Sequence, residues 1–150
     1  SPGSLPKRLL LNFDSEEWGI LYIGSAGGAT DVLRISELEY VELEKDMEIW
    51  DFRVDGLVGE HSGADIHRNR GNALKIAAAV AIDLFQAVDG QLIDIEAGDK
   101  DNAIPRSAVV KMMLQPRDIV QLKKFIAEKQ EQLRDNLTED DFGVKLSLQN

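Results

Sequence analysis

The chain has no cysteine, only four prolines, two histidines and an aromatic content of 6%. Without cysteine there is no disulfide framework, no thiolate metal site and no thiol nucleophile, and the reading leans toward the cytoplasm. Positive charge is short as well: 17 Lys and Arg stand against 27 Asp and Glu, a net charge of -10. Nucleic acid and anionic membrane surfaces call for clustered positive charge, so neither is an expected partner. No run approaches the roughly 20 uninterrupted apolar residues that span a bilayer. Ser1, Pro2, Gly3 and Ser4 lack the charged and apolar regions of an export signal and read as a cloning scar or a loop.

What is present suits one globular domain, since 150 residues with 43% hydrophobic and 29% charged content can close a single core. Leu9–Phe13 and Trp18–Ile23 read as short strands on either side of the run Asp14, Ser15, Glu16 and Glu17. Gly24, Gly27 and Gly28 form a turn, and Val32 to Leu43 reads as a strand, with a helix as the open alternative. From Trp50 the pattern is cleaner. Trp50, Phe52 and Val54 alternate with Asp51, Arg53 and Asp55, the period of a half-buried strand, which ends at Gly56 to Gly59.

A polar loop from Glu60 to Gly71 leads to Asn72, placed to cap a helix over 72–88. Its apolar residues Leu74, Ala77, Ala78, Ala81, Leu84, Phe85 and Val88 recur at helical spacing, and Gly90 stops it. Gln91 to Ala97 and Ala103 to Leu114 read as strands, with Pro105 confined to the start of the second or to a bulge. Pro116 opens a second helix reaching Asn136, with Ile119, Leu122, Phe125, Ile126 and Leu133 on one stripe. The run from Phe142 to Leu148 alternates as a last strand. The order strand, helix, strand, strand, helix, strand predicts an α+β chain with a ferredoxin-like βαββαβ sandwich over about 50–150, preceded by short strands. Two helices then cover one face of an antiparallel sheet whose edges are strand 91–97 and the last strand. Strand 91–97 and helix 72–88, the latter with an alanine-rich surface at Ala77, Ala78 and Ala81, form the expected self-association surface.

Both histidines, His61 and His67, lie in the single loop between the first sandwich strand and its helix. An imidazole there can ligate a metal or stabilise an oxyanion; the plainer reading has one bonding backbone groups and the other solvated. Six residues apart, they do not form a helical metal pair, and zinc wants three or four ligands. Asp14 to Glu17 at a strand end is either a metal-binding carboxylate or a solvated turn. Asn102 is either a turn residue or a group that bonds substrate. Gly24 to Gly28 lacks both the lysine and the following helix of a phosphate loop.

The order of these motifs is more specific than any one of them. Asn12-Phe13-Asp14-Ser15-Glu16-Glu17, the glycines of 24–28, Gly59-Glu60-His61-Ser62-Gly63-Ala64-Asp65-Ile66-His67 with Gly71-Asn72-Ala73, and Asn102-Ala103-Ile104-Pro105-Arg106 closely resemble the aminoacyl-histidine dipeptidases. These are also called Xaa-His or cytosol non-specific dipeptidases, a branch of the two-zinc exopeptidases. The resemblance runs from about Leu9 to the end and is most specific at the histidine loop. It implies that residues 5–29 are the end of a catalytic-domain strand and its connection. It implies that 30–150 are the lid, or dimerisation, domain of a cytoplasmic hydrolase that cleaves dipeptides with metal-activated water.

By the same resemblance, Asp14 is one zinc ligand, His61 reaches into the active site to stabilise the tetrahedral oxyanion, and Asn102 contacts substrate. His67 and Asn72 shape the loop and cap the helix. The implied cofactor is a pair of zinc ions, and the implied partners are a dipeptide, the catalytic domain of the same enzyme and a second copy. The other zinc ligands and the general base of the family are not recognisable here, so the chain alone is expected to be inactive and to bind no zinc. Phe13 stands where relatives often have threonine, and Ser25 where some have cysteine. A non-catalytic ligand-binding or self-association module on the same fold is the alternative.

Overall fold

The computed structural model describes residues 17–24, 27, 29, 31–42, 45–63 and 65–150. Two units make up the chain, Ser1–Glu39 and Tyr40–Asn150. In the first, the expected strand Leu9–Phe13 and Asp14 lie outside the described residues. The described part of Trp18–Ile23 is a turn followed by irregular chain rather than the expected strand. A strand persists when a neighbour takes its backbone bonds and one face is covered. Trp18, Leu21 and Ile23 instead stand 83% or more exposed: 101%, 83% and 95%. The Tyr22 hydroxyl donates to the Glu17 carboxylate, and that bond raises the phenol above its usual pKa. Residues 31–42 are likewise irregular, so among the described residues no strand precedes Glu48.

The second unit carries the regular structure: β1 (Glu48–Asp55), α1 (Ala73–Ala87), β2 (Gly90–Ala97), β3 (Ala108–Leu114), α2 (Ile119–Arg134) and β4 (Lys145–Gln149). The sheet order is β2-β3-β1-β4 and every pairing is antiparallel. This is the expected βαββαβ sandwich, with β2 and β4 as edges. β1 follows its sequence pattern: Phe52 and Val54 are fully buried, with Trp50 half-buried beside them, while Asp51, Arg53 and Asp55 occupy the opposite face. That opposite face is charged. Asp51 and Asp94 both register with Lys111, and Arg53 lies 3.8 Å from Asp51 and 3.6 Å from Asp55. Such half-exposed pairs contribute only about 0.2–1 kcal/mol each, but they keep this face wet and direct the helices to the other.

Ala73, Ala77, Val80, Ala81 and Leu84 line the buried side of α1. The alanines expected on its outer surface therefore face inward: Ala77 and Ala81 are 0% and 4% exposed, and their small side chains bring the helix close to the sheet. The outward residues are Leu74 and Ile82. Asn72 caps α1 as expected, its side-chain oxygen accepting the Lys75 N–H at 3.1 Å. A short 3-10 turn, Pro116–Asp118, leads into α2, which buries Ile119, Leu122 and Ile126. Lys123 sits 5.3 Å from the centre of the Trp50 ring.

Two strand boundaries differ from expectation. β3 starts at Ala108 rather than Ala103, because Pro105 has no N–H to give a ladder; its carbonyl instead accepts the Ala73 N–H at 2.8 Å. β4 starts at Lys145 rather than Phe142, which closes the 3-10 turn Glu139–Asp141. No described helix is long and apolar enough to cross a membrane. Phe52 and Leu122 are both fully buried, so Phe52→Ala is expected to cost about 3–5 kcal/mol and Leu122→Ala about 2–5 kcal/mol. Urea unfolding followed by circular dichroism reads both; a loss below 1 kcal/mol at either position contradicts this packing.

Candidate functional site

The histidine loop leaves β1 at Gly56 and rejoins regular structure at Asn72, and three sets of contacts hold it. The first is a short antiparallel bridge to the loop between β2 and β3, pairing His61 with Ala103. Ser62 N–H donates to the Asn102 carbonyl and Ile104 N–H to the Glu60 carbonyl, each at 2.9 Å. Two residues singled out in the sequence, His61 and Asn102, therefore come from segments about 40 positions apart and end on adjoining backbone. Both are exposed. Beside the bridge lies a pocket of about 240 Å³ whose lining includes Val58, Glu60, Lys100, Ala103 and Arg106.

The second set is a single buried carboxylate. Asp141, 0% exposed, accepts the Val58 N–H at 2.9 Å through one oxygen and the Gly71 N–H at 2.6 Å through the other. One side chain thus fastens both ends of the loop. Gly71 leaves room for this approach: a Cβ there would stand 2.7 Å from Leu57 Cδ2, which would have to shift, and 3.4 Å from Asp141 Oδ2.

The third set centres on Arg70, whose side chain is 7% exposed. It reaches the Gly59 carbonyl at 3.4 Å, Glu60 at 3.5 Å and Asp140 at 3.6 Å. This matters because Glu60, immediately before His61, has φ 94°. For a residue with a Cβ that conformation costs on the order of 1–3 kcal/mol, and it persists where the surroundings over-determine it. Here the Ile104 N–H fixes its carbonyl and Arg70 its carboxylate. Gly59 before it also has positive φ, 74°, and a Cβ there would lie 2.9 Å from the Ile104 carbonyl oxygen.

At the tip, Gly63 N–H donates to His61 Nδ1 at 3.1 Å and Asp65 N–H to the His61 carbonyl at 3.0 Å. An imidazole that accepts at Nδ1 carries its proton on Nε2 when neutral, so the loop selects the tautomer with an Nε2–H donor. His67 lies in the 3-10 turn Ile66–Arg68, exposed, and shares no metal cluster with His61. Asp14 lies outside the described residues. Among the described residues no three His, Cys, Asp or Glu side chains could hold a metal ion, so these residues do not fit a zinc centre of their own. No local pattern singles out Arg70 or Asp141. Arg70 lies in the polar loop from Glu60 to Gly71 and Asp141 just before the last strand, and only their contacts, 70 and 83 residues apart in the case of Asp141, reveal them.

A four-stranded sheet under two helices thus carries a fastened histidine loop at one end. Over residues 53–141 the chain matches the family described as the peptidase dimerisation domain, and it belongs to that family. It is 33% identical over 144 residues to the cytosol non-specific dipeptidase of Escherichia coli (strain K12), covering 96% of this chain and 30% of that protein. The crystal structure of aminoacylhistidine dipeptidase from Vibrio alginolyticus superposes with a TM-score of 0.67 at 28% identity, over 71% of this chain and 22% of that one. The chain thus spans less than a third of the length of these relatives.

Removing the Asp141 carboxylate strands two buried backbone donors, each worth about 1–3 kcal/mol. Asp141→Ala is therefore expected to destabilise the chain by about 2–6 kcal/mol and to speed amide exchange at Val58 and Gly71 before any other site. Unchanged exchange at both amides would refute the fastening role.

Proposed function

We propose that this chain is the lid and dimerisation domain of a zinc-dependent dipeptidase of the Xaa-His type, a cytoplasmic hydrolase. Residues 30–150 form the lid and residues 5–29 the end of a catalytic-domain strand with its connection. The observation that carries this reading is His61: an exposed imidazole on a strained, triply held loop, its Nδ1 bonded to Gly63 N–H. The membership in the peptidase dimerisation family and the likeness to two dipeptidases support it.

In this reading a dipeptide binds between lid and catalytic domain, and His61 Nε2–H donates to the carbonyl oxygen as it becomes an oxyanion. A donor fixed in advance in a closed site stabilises that charge without reorganising during the reaction, by about 3–4 kcal/mol. Asn102 supplies a hydrogen bond to substrate from the other arm of the bridge. The metal pair supplies a water of lowered pKa when bound. Asp14 is one of its ligands, and the catalytic domain brings the rest together with the general base.

Self-association belongs to the same reading. β2 is a sheet edge and exposes Leu92 (54%), Ile93 (39%) and Ile95 (38%), while α1 beside it exposes Leu74 and Ile82. A second copy pairing edge to edge through 91–97 and helix 72–88 would bury this apolar strip.

His61→Ala in the intact enzyme is expected to lower kcat by about 10²–10³ with KM little changed. The fold is monitored by circular dichroism. Turnover equal to the parent enzyme sinks the oxyanion role. The 150 residues alone, supplied with zinc, are expected to hydrolyse no dipeptide; measurable zinc-dependent turnover would count against the division of labour.

A further inference from the structure

The sheet has two edges, β2 and β4, and an edge strand turns alternate N–H and C=O groups outward, where another strand can pair with them. The two edges are not treated alike. On β4, Lys145, Ser147 and Gln149 register with Asp55, Arg53 and Asp51 of β1. Leu146 N–H, pointing the other way, donates to Gln130 Oε1 at 2.6 Å, and Gln130 Nε2 donates to the Val144 carbonyl at 2.9 Å. These are the two bonds that one residue of a parallel strand would make opposite Lys145.

A side-chain carboxamide carries a donor and an acceptor side by side, as a peptide group does, so Gln130 stands in for a fifth strand. It is held there by α2, which lies against β4 through Ile126 and is tied to α1 by the 2.7 Å bond from Lys129 Nζ to Asp83. β2 is met at its start by the segment before β1, where Gln91 Nε2 donates to the Glu42 carbonyl at 3.3 Å, and along its middle, among the described residues, its guard is local. Asp94 Oδ1 accepts the N–H of its own neighbour Ile95 at 2.8 Å, a bond that one side-chain rotation releases. Around it the strand exposes Leu92, Ile93 and Ile95.

We infer that Gln130 guards the start of the β4 edge by occupying the outward Leu146 N–H and the Val144 carbonyl beside it, and so confines self-association of this chain to the β2 side, with a second copy as the partner. The β2 half rests on the dimer proposed above; the guard on β4 does not. One open edge gives a closed pair, whereas two give an open-ended series of copies.

The test is light scattering on the 150-residue chain over a range of concentrations. The parent is expected to level off at a dimer. Gln130→Leu, with the Val144 carbonyl and the Leu146 N–H released, is expected to exceed the dimer and to grow in mass with concentration. Ile95→Lys, which places a charge on the β2 edge, is expected to be a monomer, and Gln130→Leu added to it restores a dimer, now through β4. A Gln130→Leu mass identical to the parent at every concentration overturns the guard. A monomeric parent with a dimeric Gln130→Leu overturns the β2 dimer and supports the guard. Amide exchange on the parent needs no variant. The Leu146 N–H must exchange at least about tenfold more slowly than an unbonded edge amide, and fast exchange there overturns the proposal even if Gln130→Leu fails to fold.

Discussion

Asp141 is the point on which the geometry of the histidine loop depends. It is the one charged residue fully buried among the described residues, and both of its oxygens are spent on backbone N–H groups at the two ends of the loop. Burying a carboxylate is costly unless its lone pairs are used, and here they are used to close a loop whose flexible ends would otherwise sample many arrangements. Everything nearer the tip is arranged from that closure. With Val58 and Gly71 fixed, Arg70 can reach Glu60, the bridge to Ala103 can form, and His61 is presented with one nitrogen already bonded.

The sandwich supplies a rigid base for this loop. Its charged face stays in solvent and its apolar face takes both helices, so the loop between β1 and α1 emerges at an end of the sheet, where strands stop and backbone turns. Strain is concentrated at Gly59 and Glu60, directly before the histidine, and is borne by Ile104 from the β2–β3 loop and by Arg70. Held in this way, the imidazole meets a ligand with little left to order.

The sandwich was legible in the sequence because its signals are periodic and local. The alternation from Trp50 to Asp55, the Asn72 cap and the stripe Ile119, Leu122, Ile126 each report a burial pattern that the structure repeats. An apolar run misleads at Trp18–Ile23, where apolar residues have no described neighbour to cover them and no strand forms. Periodicity also placed Ala77 and Ala81 on α1 without telling which way they face; small residues suit an exposed surface and a tight helix-sheet contact equally well. The histidines and Asn102 were visible as chemistry. Asp141, Arg70 and Gln130 were not, because each acts on backbone or charge far along the chain and looks, in sequence, like an ordinary solvated side chain.

The distance in sequence between the loop and its anchor has a consequence for the order of events during synthesis. Val58 and Gly71 leave the ribosome well before Asp141, which lies 83 and 70 residues further on. The strand pairs Glu48↔Leu114 and Asp51↔Gln149 are similarly long-range. Contacts of this span close late, after local helices and turns. The histidine loop is therefore among the last parts of this domain to acquire its shape, and until Asp141 has emerged the two ends of the loop that carries the imidazole are not fastened to each other.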